Sequence, residues 1–377
     1  MKAYHLSAMC LPLAALLSCS VYVTEYPEPQ ESVTDNPVSP GGVARILSEL
    51  PLTQEHLREV HDAVSSSSSG GYDEEYMMSD LFSNPGGGVG SAPTKAGAYT
   101  EPLRDLFEDW FNLRCSGTKA DFSAREYIES LSSSDMQIYW PYSDDWDGET
   151  YPIITFDPGF GAESNYGYEV CPSEDGLRVV DSVLVDETVA MKRPVWVVNR
   201  NDDSAFTPME LYDPATKSSG GRVLLIESFE ALRNYDSWFA GASEFFIKCG
   251  SVDGFKATKE DDLRLYSPSV TDFMVVVKRS QIKKPVQMET LLLTDFTDQI
   301  DKLAFLITED DGGTVTSWKC SATVKYQSKS YGFDVELPYN SKDDIVWRGQ
   351  LSSGYLDSGE SSVTGRFGDV KVTFALR

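Results

Sequence analysis

From Met136 to the C-terminus the chain is a succession of short apolar runs, each cut off by Asp, Gly, Asn, Pro or Ser before it reaches helix length. That punctuation limits the fold more than any other feature. The clearest runs are 136–142, 152–156, 177–185, 195–199, 223–229, 244–249, 273–278, 288–293, 303–308, 319–326, 332–337, 345–350 and 370–376. Several alternate apolar with polar residues, the period of two that belongs to a strand with one buried face. No helical pattern separates them, so parallel crossovers have nothing to run through, and antiparallel sandwiches are expected. Val195–Asn199, preceded by Pro194 where a strand tolerates proline, reads as core.

Ahead of the strands the period changes to that of helices. Val43, Ile46, Leu47 and Leu50 share one helical face, Pro51 interrupts, and Thr53 can cap a second helix bearing Leu57, Val60 and Val64. Ser65–Gly71 reads as a flexible loop, and Tyr72–Phe82 suggests a short helix. Thr100 is placed to cap a helix with Leu103, Leu106, Phe107 and Trp110 on one face; Ser123 and Glu126 form a capping box, stapled by Phe122 and Tyr127. The expected class is therefore α+β: short helices at the N-terminus followed by antiparallel β-sandwich domains, the C-terminal one all-β. Asp213–Gly221 is the best linker, dividing a mixed helical/β domain (41–212) from a β-sandwich domain (222–377).

The first forty residues carry an address. Lys2 supplies a positive start, Leu6–Leu17 is apolar, and Leu16-Leu17-Ser18 leads directly into Cys19. This segment resembles the lipobox of bacterial lipoproteins with a type II signal peptide. The resemblance implies that residues 1–18 are removed and that Cys19 is acylated as the new first residue. Cleavage after Ser20 by an ordinary signal peptidase is the alternative. Residues 19–40, rich in Pro, Glu and Ser, read as an extended tether. With the β-rich body, these features are similar to those of Bacteroidota outer-membrane lipoproteins, which implies a lipid anchor on the periplasmic or cell-surface face.

Charge and rare residues bound the chemistry. A net charge of −27 repels phosphate, which argues against nucleic acid as a partner. Only His56 and His61 follow the leader, and no H-E-x-x-H, G-x-S-x-G or Walker-type motif is present. The glycine-rich Asn84–Gly90 lacks the strand before it and the Lys-Ser/Thr after it that a phosphate cradle needs, so it reads as a plain loop. Cys115, Cys171, Cys249 and Cys320 could pair in three ways or stay as thiols; Cys249 and Cys320 fall in phase with apolar strand residues, as buried thiols do.

Two clusters could carry function. Leu303, Phe305 and Ile307 alternate along a strand that ends in Glu309-Asp310-Asp311-Gly312-Gly313. Carboxylates gathered at a strand end suit calcium, which takes six to eight oxygens. The pattern resembles C2-type β-sandwiches, with Glu244–Cys249 standing for an early strand. The resemblance implies calcium as a cofactor, with Glu309, Asp310 and Asp311 from one loop and Asp261 and Asp262 from another as ligands. The same acids also make a good solvated turn.

The second cluster is Ile138–Glu149, where Trp140, Tyr142 and Trp146 sit among Asp144, Asp145 and Asp147. These aromatics could stack on sugar rings, or Ile138, Trp140 and Tyr142 could be the buried face of a strand. An EF-hand is excluded, because Ser143 and Ile154 occupy the first and last ligand positions. The expected function is a membrane-anchored, non-catalytic binding or structural module for a glycan or a surface protein. The alternatives are a hydrolase using paired carboxylates and a calcium-dependent C2-like module.

Overall fold

Ser39, Thr53 and Ser123 each have an extended backbone at the start of a helix, which places the hydroxyl to accept from the first turn. The computed structural model, which describes residues 38–83, 99–115, 123–173, 176–201, 208–213 and 222–377, uses all three. Ser39 Oγ accepts from Gly42 at the start of α1 (Pro40–Glu49). Thr53 caps α2 (Gln54–Ser69), and His56 Nδ1 accepts from the Thr53 amide to close the box. Ser123 and Glu126 close the corresponding box on α5 (Ala124–Ser132).

Two expectations about the helices are corrected. The serines after Val64 do not break α2, which runs to Ser69 and ends at Gly70. Ser69 Oγ bonds to the Ser65 carbonyl and Ser67 Oγ to Glu75, so these side chains find partners without unwinding the backbone. Thr100 does not cap α4 (Leu103–Cys115). The Leu103 amide instead donates to the buried Glu59 of α2 at 2.7 Å, an acid meeting a helix N-terminus from a neighbouring helix. The acidic segment after Gly71 is half as helical as expected, forming β1 (Glu75–Met77) and then α3 (Met78–Phe82). Phe122, the Asn84–Gly90 loop, Cys19 with its leader, and 214–221 of the linker lie outside the described residues.

The described chain holds sixteen strands in three sheets, antiparallel in every strand pairing but one. The first contains β1, β2 (Met136–Tyr139), β3 (Ile153–Phe156), β4 (Ser164–Ser173), β5 (Gly176–Asp186) and β6 (Val195–Arg200), in the order β1-β2-β6-β3-β4-β5. The exception is β3 beside β6, where Ile154 lies opposite Trp196 in parallel register. Between β5 and β6 lies only a short helix, α6 (Glu187–Ala190). On one face, Ile138, Ile154, Phe156, Trp196 and Val198 pack against the helices. On the other, Tyr139, Ile153, Val195 and Val197 meet Trp238 and Phe239, which arrive from the C-terminal region. Val195–Val198 is thus buried on both faces, as core.

The C-terminal region is all-β apart from single turns and the short helix α7 (Ser353–Leu356). Its strands are β7 (Arg222–Ala231), β8 (Ser243–Ser251), β9 (Ser269–Val277), β10 (Val286–Phe296), β11 (Ile300–Glu309), β12 (Val315–Tyr326), β13 (Lys329–Asn340), β14 (Asp344–Ser352), β15 (Ser362–Phe367) and β16 (Val370–Leu376). One sheet runs β10-β7-β16-β15; the other runs β13-β12-β11-β8-β9, with β14 also on β11. Alternate residues of the two sheets, among them Phe229, Phe374, Phe245, Phe273 and Phe305, face one another across a shared core, giving the sandwich.

β12 pairs with β11 only at Ile300 and Lys302, and β14 takes the edge from Lys302 to Glu309. The β12–β13 hairpin is thereby released to cover the outer face of its sheet, where Ala304 and Leu306 meet Val324, Val335 and Leu337. Cys249 is buried among Phe245 and Ile247, Cys320 packs beside Trp318 and Ala322, and all four described cysteines are free thiols. No helix among the described residues is long and apolar enough to cross a membrane.

Candidate metal centre

Along β11 the inward row Leu303, Phe305, Ile307 continues in phase to Glu309. Strand alternation therefore delivers a carboxylate to the rim of an apolar core. Glu309 is 1 % exposed, and while ionised neither of its carboxylate oxygens has a hydrogen-bond donor; only a proton shared with Asp236 would give it a bond.

Two other elements bring acids to it. β8 lies beside β11 with Phe245 opposite Glu309, which sets Glu244 one residue away; the Asp310 amide donates to the Glu244 carbonyl at 3.0 Å. The connection from β7 to β8 contributes Asp236, whose Oδ2 is buried without a partner. One carboxylate oxygen from each of Asp236, Glu244 and Glu309 lies within 4.8 Å of the other two.

Such a group cannot be fully ionised. At an effective dielectric near 20, two unit charges at that separation repel by about 3–4 kcal/mol. Burial pushes the Glu309 carboxyl far above the usual carboxylate range, and Asp236, Asp311 and Asp344 push it further. Asp236 is raised as well, chiefly by burial, with Arg279 opposing. Either a proton or a cation must occupy the space between the acids.

Oxygen-only donors favour a hard cation over zinc or copper. Separations of up to 4.8 Å fit within the diameter of a calcium sphere, with bonds of about 2.4 Å. Three carboxylates can supply up to six oxygens at flexible geometry, which suits calcium better than the strict octahedron that magnesium demands.

The sequence-derived residues divide around this centre. Glu309 lies in it. Asp310 is committed to holding its loop: its Oδ1 accepts from the Gly312 amide and from Asn340 Nδ2, both at 3.1 Å. Asp343 ties the same loop to the turn before β14, accepting from the Asn340 amide at 2.8 Å and the Asp311 amide at 3.4 Å. Asp311 is exposed and contributes negative potential to Glu309.

Asp261 and Asp262 do not join the centre, which corrects the expectation of a second ligand loop. They lie in the 3-10 turn Glu260–Leu265, where Asp262 Oδ2 accepts from the Thr258 amide and hydroxyl and from the Lys259 amide. Those bonds, the Thr258 amide first, hold its carboxyl below the usual range. Asp236 and Glu244 take their place. Glu244 begins a strand the sequence does show, whereas Asp236 lies in Arg-Asn-Tyr-Asp-Ser, where nothing marks a ligand.

The aromatic cluster behaves differently from a stacking platform. Trp140 is wholly buried and packs edge-on against Trp196 and Trp146, with His61 beside it. Of the two readings of this cluster, Trp140 takes the buried one. The strand itself stops at Tyr139, and Tyr142 turns away through a left-handed backbone (φ 61°) to donate to Glu187. Half-buried Trp146 donates its Nε1–H to the Thr150 carbonyl. The three rings do border a common depression of about 260 Å³ with Asp145, Asp147 and residues 190–194. Asp147 there is already engaged by the Glu149 and Thr150 amides and the Thr150 hydroxyl.

No protein-family model, curated protein or solved structure matches this chain.

Proposed function

We propose that this chain is an exported, non-catalytic binding module, lipid-anchored through Cys19 in the outer membrane, whose β-sandwich is completed by calcium. The carrying observation is Glu309: a core-facing carboxylate, 1 % exposed, with no donor to either oxygen and two more acids within 4.8 Å. A proton joins Glu309 to Asp236 alone, whereas a divalent cation can take an oxygen from each of the three acids at once.

The burial of Glu309 favours binding over hydrolysis. A glycosidase presents its two carboxyl groups about 5–10 Å apart on either side of an accessible bond. Here the acids are closer, and Glu309 offers a polymer no approach. The anchor and the outer-membrane location rest on the lipobox resemblance around Cys19.

The test is a thermal titration of the full chain with calcium chloride after chelation. Saturating calcium at about 100 times the dissociation constant stabilises a folded state by about 2.7 kcal/mol, a rise of a few degrees in a chain of this size. An unchanged melting temperature up to millimolar calcium would sink the reading.

A further inference from the structure

The segment joining β7 to β8 carries two things within three residues. Asp236 faces the acids of the sandwich, and Trp238 and Phe239 are buried against the far face of the first sheet. On that side the segment is held by several bonds. Trp238 Nε1–H donates to the Glu163 carbonyl at 2.9 Å. Asn199 of β6 donates to the Phe239 carbonyl at 2.9 Å and the Ala240 carbonyl at 2.5 Å. The Ala242 amide donates to Asp73, which lies just ahead of β1, at 2.8 Å.

Arg279, in the turn after β9, bridges the two sides. Its Nε–H donates to the Gly241 carbonyl and its Nη2–H to the Asp236 carbonyl. Its Nη1 pairs with Glu187 of α6 at 3.0 Å. The main chain at Asp236 is therefore gripped while its side chain faces the carboxyl groups of Glu244 and Glu309.

We infer that calcium bound between Asp236, Glu244 and Glu309 acts as a clamp on residues 232–242, so that docking of the first sheet onto the sandwich depends on the cation. This rests on the calcium reading proposed above. A cation changes what holds Asp236: a shared proton ties it to Glu309 alone, whereas calcium draws all three acids to one centre. Asp236 is the ligand on the connecting segment; Glu244 and Glu309 lie on paired strands of one sheet. Calcium therefore adds a bond between the sandwich and the segment that plugs the first sheet. The same burial of Glu309 that keeps a substrate out also makes the cation an internal tie.

Hydrogen–deuterium exchange on the full chain, with calcium chloride or with chelator, tests this, while melting temperature is followed in parallel. The expected result is that calcium slows exchange by roughly tenfold or more in 232–242 and in β6, where opening is sub-global. The β12–β13 hairpin, on the opposite face of its sheet, should show little change. Asp236→Asn, which removes the ligand on the segment and a buried like charge with it, should abolish the protection. If calcium raises the melting temperature but leaves 232–242 and β6 no better protected than the hairpin, the clamp is wrong and the calcium centre stands. Equal protection in Asp236→Asn would also overturn the clamp. If calcium changes neither melting temperature nor exchange, both readings fall.

Discussion

A glutamate in phase with Leu303, Phe305 and Ile307 can be neutralised in two ways, by a proton or by a cation, and the two make opposite demands on a substitution. Glu309→Gln keeps the shape and removes the charge. In chelator near pH 7 it should raise stability by roughly 1–3 kcal/mol, since the parent must take up a proton on folding to keep this buried carboxyl neutral and the amide need not. The same change should erase the rise that calcium gives the parent chain. Denaturant midpoints in chelator and in calcium check both halves; a Glu309→Gln chain that is weaker in chelator would argue that the carboxylate is already satisfied. Cys249 gives a second residue-scale outcome. Burial pushes its thiol up to about 12, so at pH 8 it carries almost no thiolate. Iodoacetamide followed by peptide mass mapping should find Cys249 unlabelled in the folded chain and labelled in urea; labelling of the native protein would mean the sandwich core opens. At this scale the sequence showed Glu309, because alternation and the acidic loop are local. Asp236 and Glu244 were out of reach, since they meet Glu309 only through β8–β11 pairing and a connection from another sheet.

The elements most visible in the sequence were those whose signal is local. The cap at Thr53, the capping box at Ser123, and strands such as β8 and β11 sit where the residue pattern put them. β4 escaped notice because Gly167 and Pro172 interrupt its apolar run. The structure explains the first of these: a Cβ at 167 would come within 2.8 Å of Ile153 and 2.9 Å of Val185. Gly250 on β8 has a similar role under the β12–β13 hairpin, where a Cβ would collide with Val335 Cγ1. The hairpin can lie that close only over a bare backbone. Gly250→Val should therefore destabilise the chain by about 1–3 kcal/mol by lifting the hairpin. Faster exchange in β12 and β13, with the core between the two sandwich sheets unchanged, is the expected signature. A uniform change across all three sheets would show that the hairpin is not a separate layer.

Across the whole molecule, the sandwich and the first sheet meet at a charged seam, and its acids set how stability follows pH. Asp73 is pushed up to about 6 by burial, against the Ala242 and Glu74 amides and the charges of Arg279 and Lys278. Glu74 is pushed up to about 7 by burial and then by Asp73, while Ser143 and Lys278 oppose. Both folded values exceed the unfolded ones near 4, so the folded chain holds protons that the unfolded chain has released. Their contribution to stability is thus fully present below about pH 4 and is lost as pH rises through 6 to 7. Glu74→Gln isolates this effect. Glu74 Oε1 accepts from the Ser143 amide and hydroxyl, whereas Oε2 is buried without a partner, so an amide nitrogen can occupy the unpartnered side. Relative to the parent, Glu74→Gln should be nearly neutral at pH 4 and more stable by about 2–3 kcal/mol at pH 8, the shift of about 2.5 units discounted for coupling to Asp73. The net charge of −27 also makes the whole chain respond to pH, but that response is nearly common to both proteins and leaves their difference. Urea midpoints from pH 4 to 8 give the comparison. Parallel profiles would mean that Glu74 stays ionised in the seam, held by Lys278 at 3.9 Å more firmly than burial opposes it.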